Sequence, residues 1–172
     1  MLGMRNKAWV LGLALTVLIM APRAATADDE HMVNFKVLTP ELALELAQAT
    51  LADCRKRGFQ TAVAVVDRFG VLQALVRDRF AGPHTPETAR RKAWTAVSFR
   101  TDTLAMSENT RAGEEASGAR FVTDALMIGG GVMVDAGGTM VAGVGVSGAP
   151  GGEADDACAR VGIEAIADKI TF

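Results

Sequence analysis

Thr61-Ala62-Val63-Ala64-Val65-Val66-Asp67-Arg68-Phe69-Gly70-Val71-Leu72-Gln73-Ala74-Leu75-Val76-Arg77 is the stretch that decides the fold. Thr61 to Val66 is rich in β-branched residues and almost wholly apolar, which reads as a strand buried on both faces. Asp67-Arg68-Phe69-Gly70 carries turn chemistry, and Val71 to Arg77 reads as the returning strand. A parallel pair needs a crossover of a dozen or more residues, and only the four-residue turn lies between these runs. The two strands can only form an antiparallel hairpin.

Upstream of the hairpin the hydrophobic period changes to that of a helix. Thr39-Pro40-Glu41 supplies a capping hydroxyl, a proline for the first turn and an acid at the positive dipole end. Leu44, Ala47, Leu51 and Cys54 then recur at helical spacing as one apolar face, and Arg55-Lys56-Arg57-Gly58 suits a helix end. Downstream, Asp78 to Pro83 reads as a loop. Thr85-Pro86-Glu87 repeats the helix-start chemistry and predicts a helix to about Phe99. Thr101 to Gly118 is polar and broken, which predicts a short helix and mobile backbone.

Val132 to Val134 and Thr139 to Val146 read as two further strands around the turn Asp135-Ala136-Gly137-Gly138. Ser147 to Gly152 reads as a loop, and Glu153 to about Lys169 as a closing helix with Ala154, Ala157, Cys158, Val161 and Ala165 as its apolar face. This order of elements predicts an α+β fold, an antiparallel sheet with helices packed on it, rather than βαβ units. No internal repeat of solenoid length occurs.

The N-terminus has its own logic. Arg5 and Lys7 precede an uncharged apolar run from Ala8 to Ala21, followed by Pro22 and the small-x-small site Ala25-Thr26-Ala27. That run falls short of the roughly 20 residues that a bilayer span needs. Residues 1–27 therefore read as a Sec-type signal peptide cleaved after Ala27, with no Arg-Arg pair and no lipid-anchor cysteine. Residues 28–38 read as a leader and 39–172 as the domain. Cleavage leaves 145 of the 172 residues, with no stable membrane anchor, in a periplasmic or secreted location. Removing Arg5, Lys7 and Arg23 from the 18 basic residues leaves 15 against 20 acidic ones, a formal net charge of −5. That balance argues against a nucleic-acid partner, whose phosphates call for a basic surface.

Gly143-Val144-Gly145-Val146-Ser147-Gly148 matches a dinucleotide fingerprint in letters only. The fingerprint requires glycines at a strand-to-helix turn inside a βαβ unit. Here the first two glycines lie within the apolar strand, and Pro150 intervenes before the helix. Such glycines more simply let another backbone or a flat ligand approach. Ser147 fails as a hydrolase nucleophile because Ala149 stands where the elbow motif needs its second glycine.

Five segments together resemble the GlcG/HbpS family of small haem-binding proteins. They are the hairpin Ala62 to Gly70; Arg91-Lys92-Ala93-Trp94-Thr95-Ala96 in the central helix; Gly129-Gly130-Gly131-Val132; Gly143 to Ala149; and Gly151-Gly152-Glu153-Ala154-Asp155. The resemblance covers nearly all of Leu38 to Ile170. One departure is Gly143-Val144-Gly145, where members often carry Gly-Ala-Ile-Gly. The family implies a profilin-like sandwich: an antiparallel sheet of about five strands, first and last helices on one face, central helices on the other, and assembly into homo-oligomers. It further implies that the helices carrying Cys54 and Cys158 lie together, where an oxidising compartment could join them as a disulfide, against two buried free thiols.

The resemblance also supplies roles for a site, with haem as the cofactor. His84, on the loop entering the central helix, becomes a candidate haem-iron ligand, against a plain loop histidine at a helix start. Arg90, Arg91 and Lys92 become candidates for gripping propionates, against a solvated helix face. Trp94 could stack on a porphyrin, against a place in the core. Gly151, Gly152 and Glu153 present N–H groups at a helix N-terminus, suited to an anion. No Cys/His cluster has zinc spacing. The resulting function is an exported small-molecule-binding protein that holds haem or a related tetrapyrrole as a homo-oligomer. Two alternatives stand beside it: a haem-independent accessory factor for a periplasmic oxidoreductase or catabolic system, and an enzyme acting on haem or a small organic substrate.

Overall fold

A computed structural model describes residues 31–171, so residues 1–27, expected to be a signal peptide, and the first residues of the expected leader lie outside the described part. The chain divides into two compact units, Met1–Asn34 and Phe35–Phe172, and every helix and strand below belongs to the second. In order they are α1 (Pro40–Lys56), β1 (Ala62–Asp67), β2 (Leu72–Arg77), α2 (Thr85–Phe99), α3 (Thr103–Asn109), β3 (Gly131–Ala136), β4 (Thr139–Ser147) and α4 (Gly152–Ala165). Short 3₁₀ turns cover Glu115–Phe121 and Ala167–Lys169.

The sheet is antiparallel throughout, with strand order β2-β1-β4-β3. The hairpin forms as read, β1 lies buried in the centre, and β4 pairs along its other side from Ala62↔Ser147 to Asp67↔Ala142. Four strands are present among the described residues, one fewer than the resemblance implied. The segment before β3 bonds elsewhere: Ile128 N–H donates to the Leu126 carbonyl and Leu126 N–H to Thr95 Oγ1. The β3–β4 turn is tighter than expected, because Gly137 and Gly138 at φ 56° and 78° close it alone.

Pleating separates two layers. Val63, Val65, Val132, Val134, Val144 and Val146 point to one face and form the main core with Leu46, Leu51, Cys54 and Cys158 of α1 and α4. Each such side chain taken from water is worth about 1.5–3 kcal/mol. Ala62 and Ala64 point the other way, against Ala89 of α2, and Val66 meets Ala93 and Val97. First and last helices thus share one face, and α2 covers the other.

Glycines of β3 and β4 explain how closely α2 sits. A Cβ on Gly145 would stand 2.0 Å from the Ala89 carbonyl oxygen, and one on Gly131 2.2 Å from that of Lys92. The repeated Gly-Val of β4 is therefore a two-faced strand, valines to the core and bare backbone to α2. Gly145→Val is expected to push α2 outward at an overpacking cost of about 1–3 kcal/mol or more. Calorimetry should show a midpoint lowered by several degrees, and an unchanged midpoint would contradict this packing.

Helix starts and faces show what the sequence hides. Thr39 caps α1, accepting from Leu42 N–H at 3.3 Å. Thr85 does not cap α2: it is the first helical residue, its hydroxyl donates to the Gly82 carbonyl at 2.8 Å, and His84 takes the cap position. On α1 the buried face is Ala43, Leu46, Ala47, Thr50, Leu51 and Cys54, while Leu44 is exposed. On α4 it is Asp155, Asp156, Cys158, Ala159 and Gly162, rotated from the alanine-and-valine face that was expected. A Cβ on Gly162 would fall on Thr50 Oγ1, so only glycine there lets the two helices pack as they do. Beside that contact Cys54 and Cys158 form a disulfide, Cα to Cα 5.4 Å, closing a loop with a sequence separation of 104 residues. A loop of that size limits the unfolded chain by up to about 4.7 kcal/mol.

Candidate functional site

A cleft of about 680 Å³ opens where three segments converge: the turn after α1, the β2–α2 loop running into α2, and the β4–α4 loop. Its volume lies within the range of about 300–1,000 Å³ typical of small-molecule sites. Phe59, Phe80 and Ile128 give it apolar walls, and Phe80 is largely exposed to solvent. A large apolar ring left at a cleft mouth is an unfilled contact.

His84 lines this cleft. Its position at the α2 cap makes a capping bond the natural use of the ring, yet no side-chain cap bond forms. Among the described residues the imidazole has no hydrogen-bond partner. It rests over Gly82, where a Cβ would come within 2.7 Å of its Cε1. A bulkier residue at 82 would displace the ring, so glycine there gives the imidazole its place.

Lys92 enters the cleft from below and is 2% exposed. Its Nζ donates to the Val146 carbonyl at 2.9 Å and to Asp155 Oδ2 at 2.8 Å. Asp155 Oδ1 in turn accepts from Ala149 N–H at 3.0 Å. This pair ties α2, the end of β4 and the first turn of α4 into one floor. Burial raises the Asp155 carboxyl above its ordinary range, and Lys92 opposes that rise. Gly151 caps α4 without a side chain, and Gly151 and Gly152 line the cleft. Glu153 is exposed in the first turn of α4 and does not line it.

The remaining candidates lie elsewhere. Arg90 binds Glu87 through two hydrogen bonds, at 2.9 and 2.7 Å, and reaches Asp124 at 3.1 Å. These carboxylates raise the Arg90 pKa, and Arg90 lowers that of Glu87. Arg91 donates to the carbonyls of Asp124 and Ala125. The two arginines thus hold a segment in which Asp124 stands at φ 68°, a left-handed conformation uncommon outside glycine. Trp94 packs with Met106, Ala125 and Met127 and covers Gly70. None of these three lines the cleft.

The comparisons with known proteins bear on this geometry. A family model described as "Haem degrading protein HbpS-like" matches residues 38–164. The chain belongs to the HbpS-like family. A double mutant of Streptomyces reticuli HbpS is 34% identical, with a TM-score of 0.76, over 85% of this chain and 98% of that one. A haem complex of PduOC is 26% identical, with a TM-score of 0.70, over 76% of this chain and 95% of that one. Klebsiella pneumoniae protein ORFY, 23% identical with a TM-score of 0.74 over 78% and 93% of the chains, shares the fold. No curated protein sequence matches this chain.

Of the residues lining the cleft, Phe59, Phe80, Ile128 and Asp155 carry no assigned role in the sequence reading. Phe80, a lone aromatic in a polar loop, carried the one local signal. Among the described residues no helix is long and apolar enough to cross a membrane, and no group of three or more His, Cys, Asp or Glu could hold a metal ion.

Proposed function

We propose that this HbpS-like protein is exported and binds haem in the cleft above Lys92, with His84 as the iron ligand. The observation that carries the proposal is the His84 imidazole: it stands in the wall of a ligand-sized cleft without a hydrogen-bond partner among the described residues. A neutral imidazole with a free nitrogen is the standard protein ligand for haem iron. Phe59, Phe80 and Ile128 supply apolar surface for a porphyrin. The family description and the PduOC haem complex support the same ligand.

Export rests on the N-terminal sequence pattern. Assembly into a homo-oligomer is supported by the edge strand β2 and the turn leading into it, where Leu72 and Leu75 of the strand and Phe69 and Val71 of the turn are exposed. Edges with apolar side chains are rarely left bare in a soluble protein.

A haemin titration followed at the Soret band tests the function. Binding should saturate at a fixed stoichiometry of one haem per chain. A linear, non-saturating response would reject haem and favour the accessory role. The family's "haem degrading" description favours a second reading, turnover of haem in the same cleft. Repeated loss of haem absorbance with added reductant and oxygen, beyond one equivalent, would support it; a stable complex would not.

A further inference from the structure

The inner end of the cleft is built differently from its mouth. Lys92 is among the largest fully buried side chains, and an ammonium carries three N–H donors. Two protein acceptors face it, the Val146 carbonyl and Asp155 Oδ2. A buried donor left unpaired is costly, so the third N–H, on a side chain that lines the cleft, calls for an acceptor there. The same cleft wall contains the start of α4, where the N–H groups of Gly152, Glu153 and Ala154 have no acceptor among the described residues and no capping side chain covers them. A 14-residue helix concentrates positive potential at that end. The first-turn carboxylate that lines the cleft, Asp155, is already occupied by Lys92 and Ala149 N–H.

We infer that this end of the cleft is a carboxylate subsite. Lys92 Nζ and the first N–H groups of α4 take a carboxylate of the ligand, while His84 faces its other part. The inference rests on the proposed haem reading for the identity of the ligand: on haem the carboxylate is a propionate. The subsite itself requires only a carboxylate, whether on a porphyrin or on a free organic acid. It narrows the role first sought in Arg90, Arg91 and Lys92 to Lys92, since the donors of the two arginines hold the 124–125 segment instead.

Two measurements on the purified protein decide it. In the first, sodium propionate is titrated while the amide signals of Gly152, Glu153 and Ala154 are followed by NMR. Saturable shifts confined to these amides are expected, and no shift would overturn the subsite, whether or not haem binds. In the second, haem is compared with its dimethyl ester, which lacks both negative charges. The wild-type protein should prefer haem by about tenfold or more. Lys92→Met/Asp155→Asn, which removes the donor without leaving a buried charge, should lose most of that preference, and His84→Ala should retain it. Equal affinity of the wild type for haem and ester would overturn the subsite even where His84-dependent haem binding stands. Failure of haem to bind, with propionate still shifting the α4 amides, would instead reject the haem reading and assign the subsite to a free organic acid.

Discussion

His84→Ala is expected to remove the ligand-shifted Soret band and to weaken haemin binding by about 100-fold, or ~2.7 kcal/mol. The size of the effect follows from how little else the side chain does. The ring is exposed, caps nothing and bonds to nothing among the described residues, so its loss should leave the fold intact. What is lost is the one imidazole lining the cleft. Circular dichroism should therefore match the wild type while the haem signal disappears. A variant that binds haemin with unchanged affinity and spectrum would show that iron takes another ligand.

Lys92→Met should have the opposite signature, a large loss of stability. Methionine replaces most of the apolar stem, so packing is nearly kept. What changes is that Asp155, 3% exposed, loses its cation and one hydrogen bond while keeping only the Ala149 N–H. Removing one partner of a buried ion pair costs about 3–5 kcal/mol, because a charge is left without compensation. Adding Asp155→Asn removes that charge, and the double variant should regain most of the loss. Denaturant unfolding of both variants checks the cycle. A Lys92→Met protein as stable as the wild type would show that the pair does not hold the floor of the cleft.

The contrast between these two residues shows what a sequence can disclose here. The hairpin from Thr61 to Arg77 was legible because a short turn between two apolar runs admits one topology. The start of α1 was legible because Thr39, Pro40 and Glu41 act on their own backbone. The face of α4 was not. Asp155 and Asp156 are buried because Lys92 and Arg160 neutralise them, and Arg160 also reaches Asp102. Periodicity counts carboxylates as wet, and the distant partner that makes them dry leaves no mark nearby. Gly162 hides the same way, since its reason for being glycine is Thr50 of another helix.

The site divides along the same line. His84, Lys92, Gly151 and Gly152 could be named in advance as groups with chemistry to offer, and all four line the cleft. Arg90, Arg91 and Trp94 offered equally good chemistry, but their helix turns them toward Asp124, Ala125 and Gly70. Spacing along α2 placed these residues on a helix without saying which elements the helix would meet. The walls of the cleft, Phe59, Phe80 and Ile128, come from three separate segments and become one surface only after folding.

A crystal structure of the haemin complex tests the central claim most directly. The iron should be bound by an imidazole nitrogen of His84, with the porphyrin against Phe80 and Ile128. Iron held by any other side chain, or haem seated away from this cleft, would contradict it.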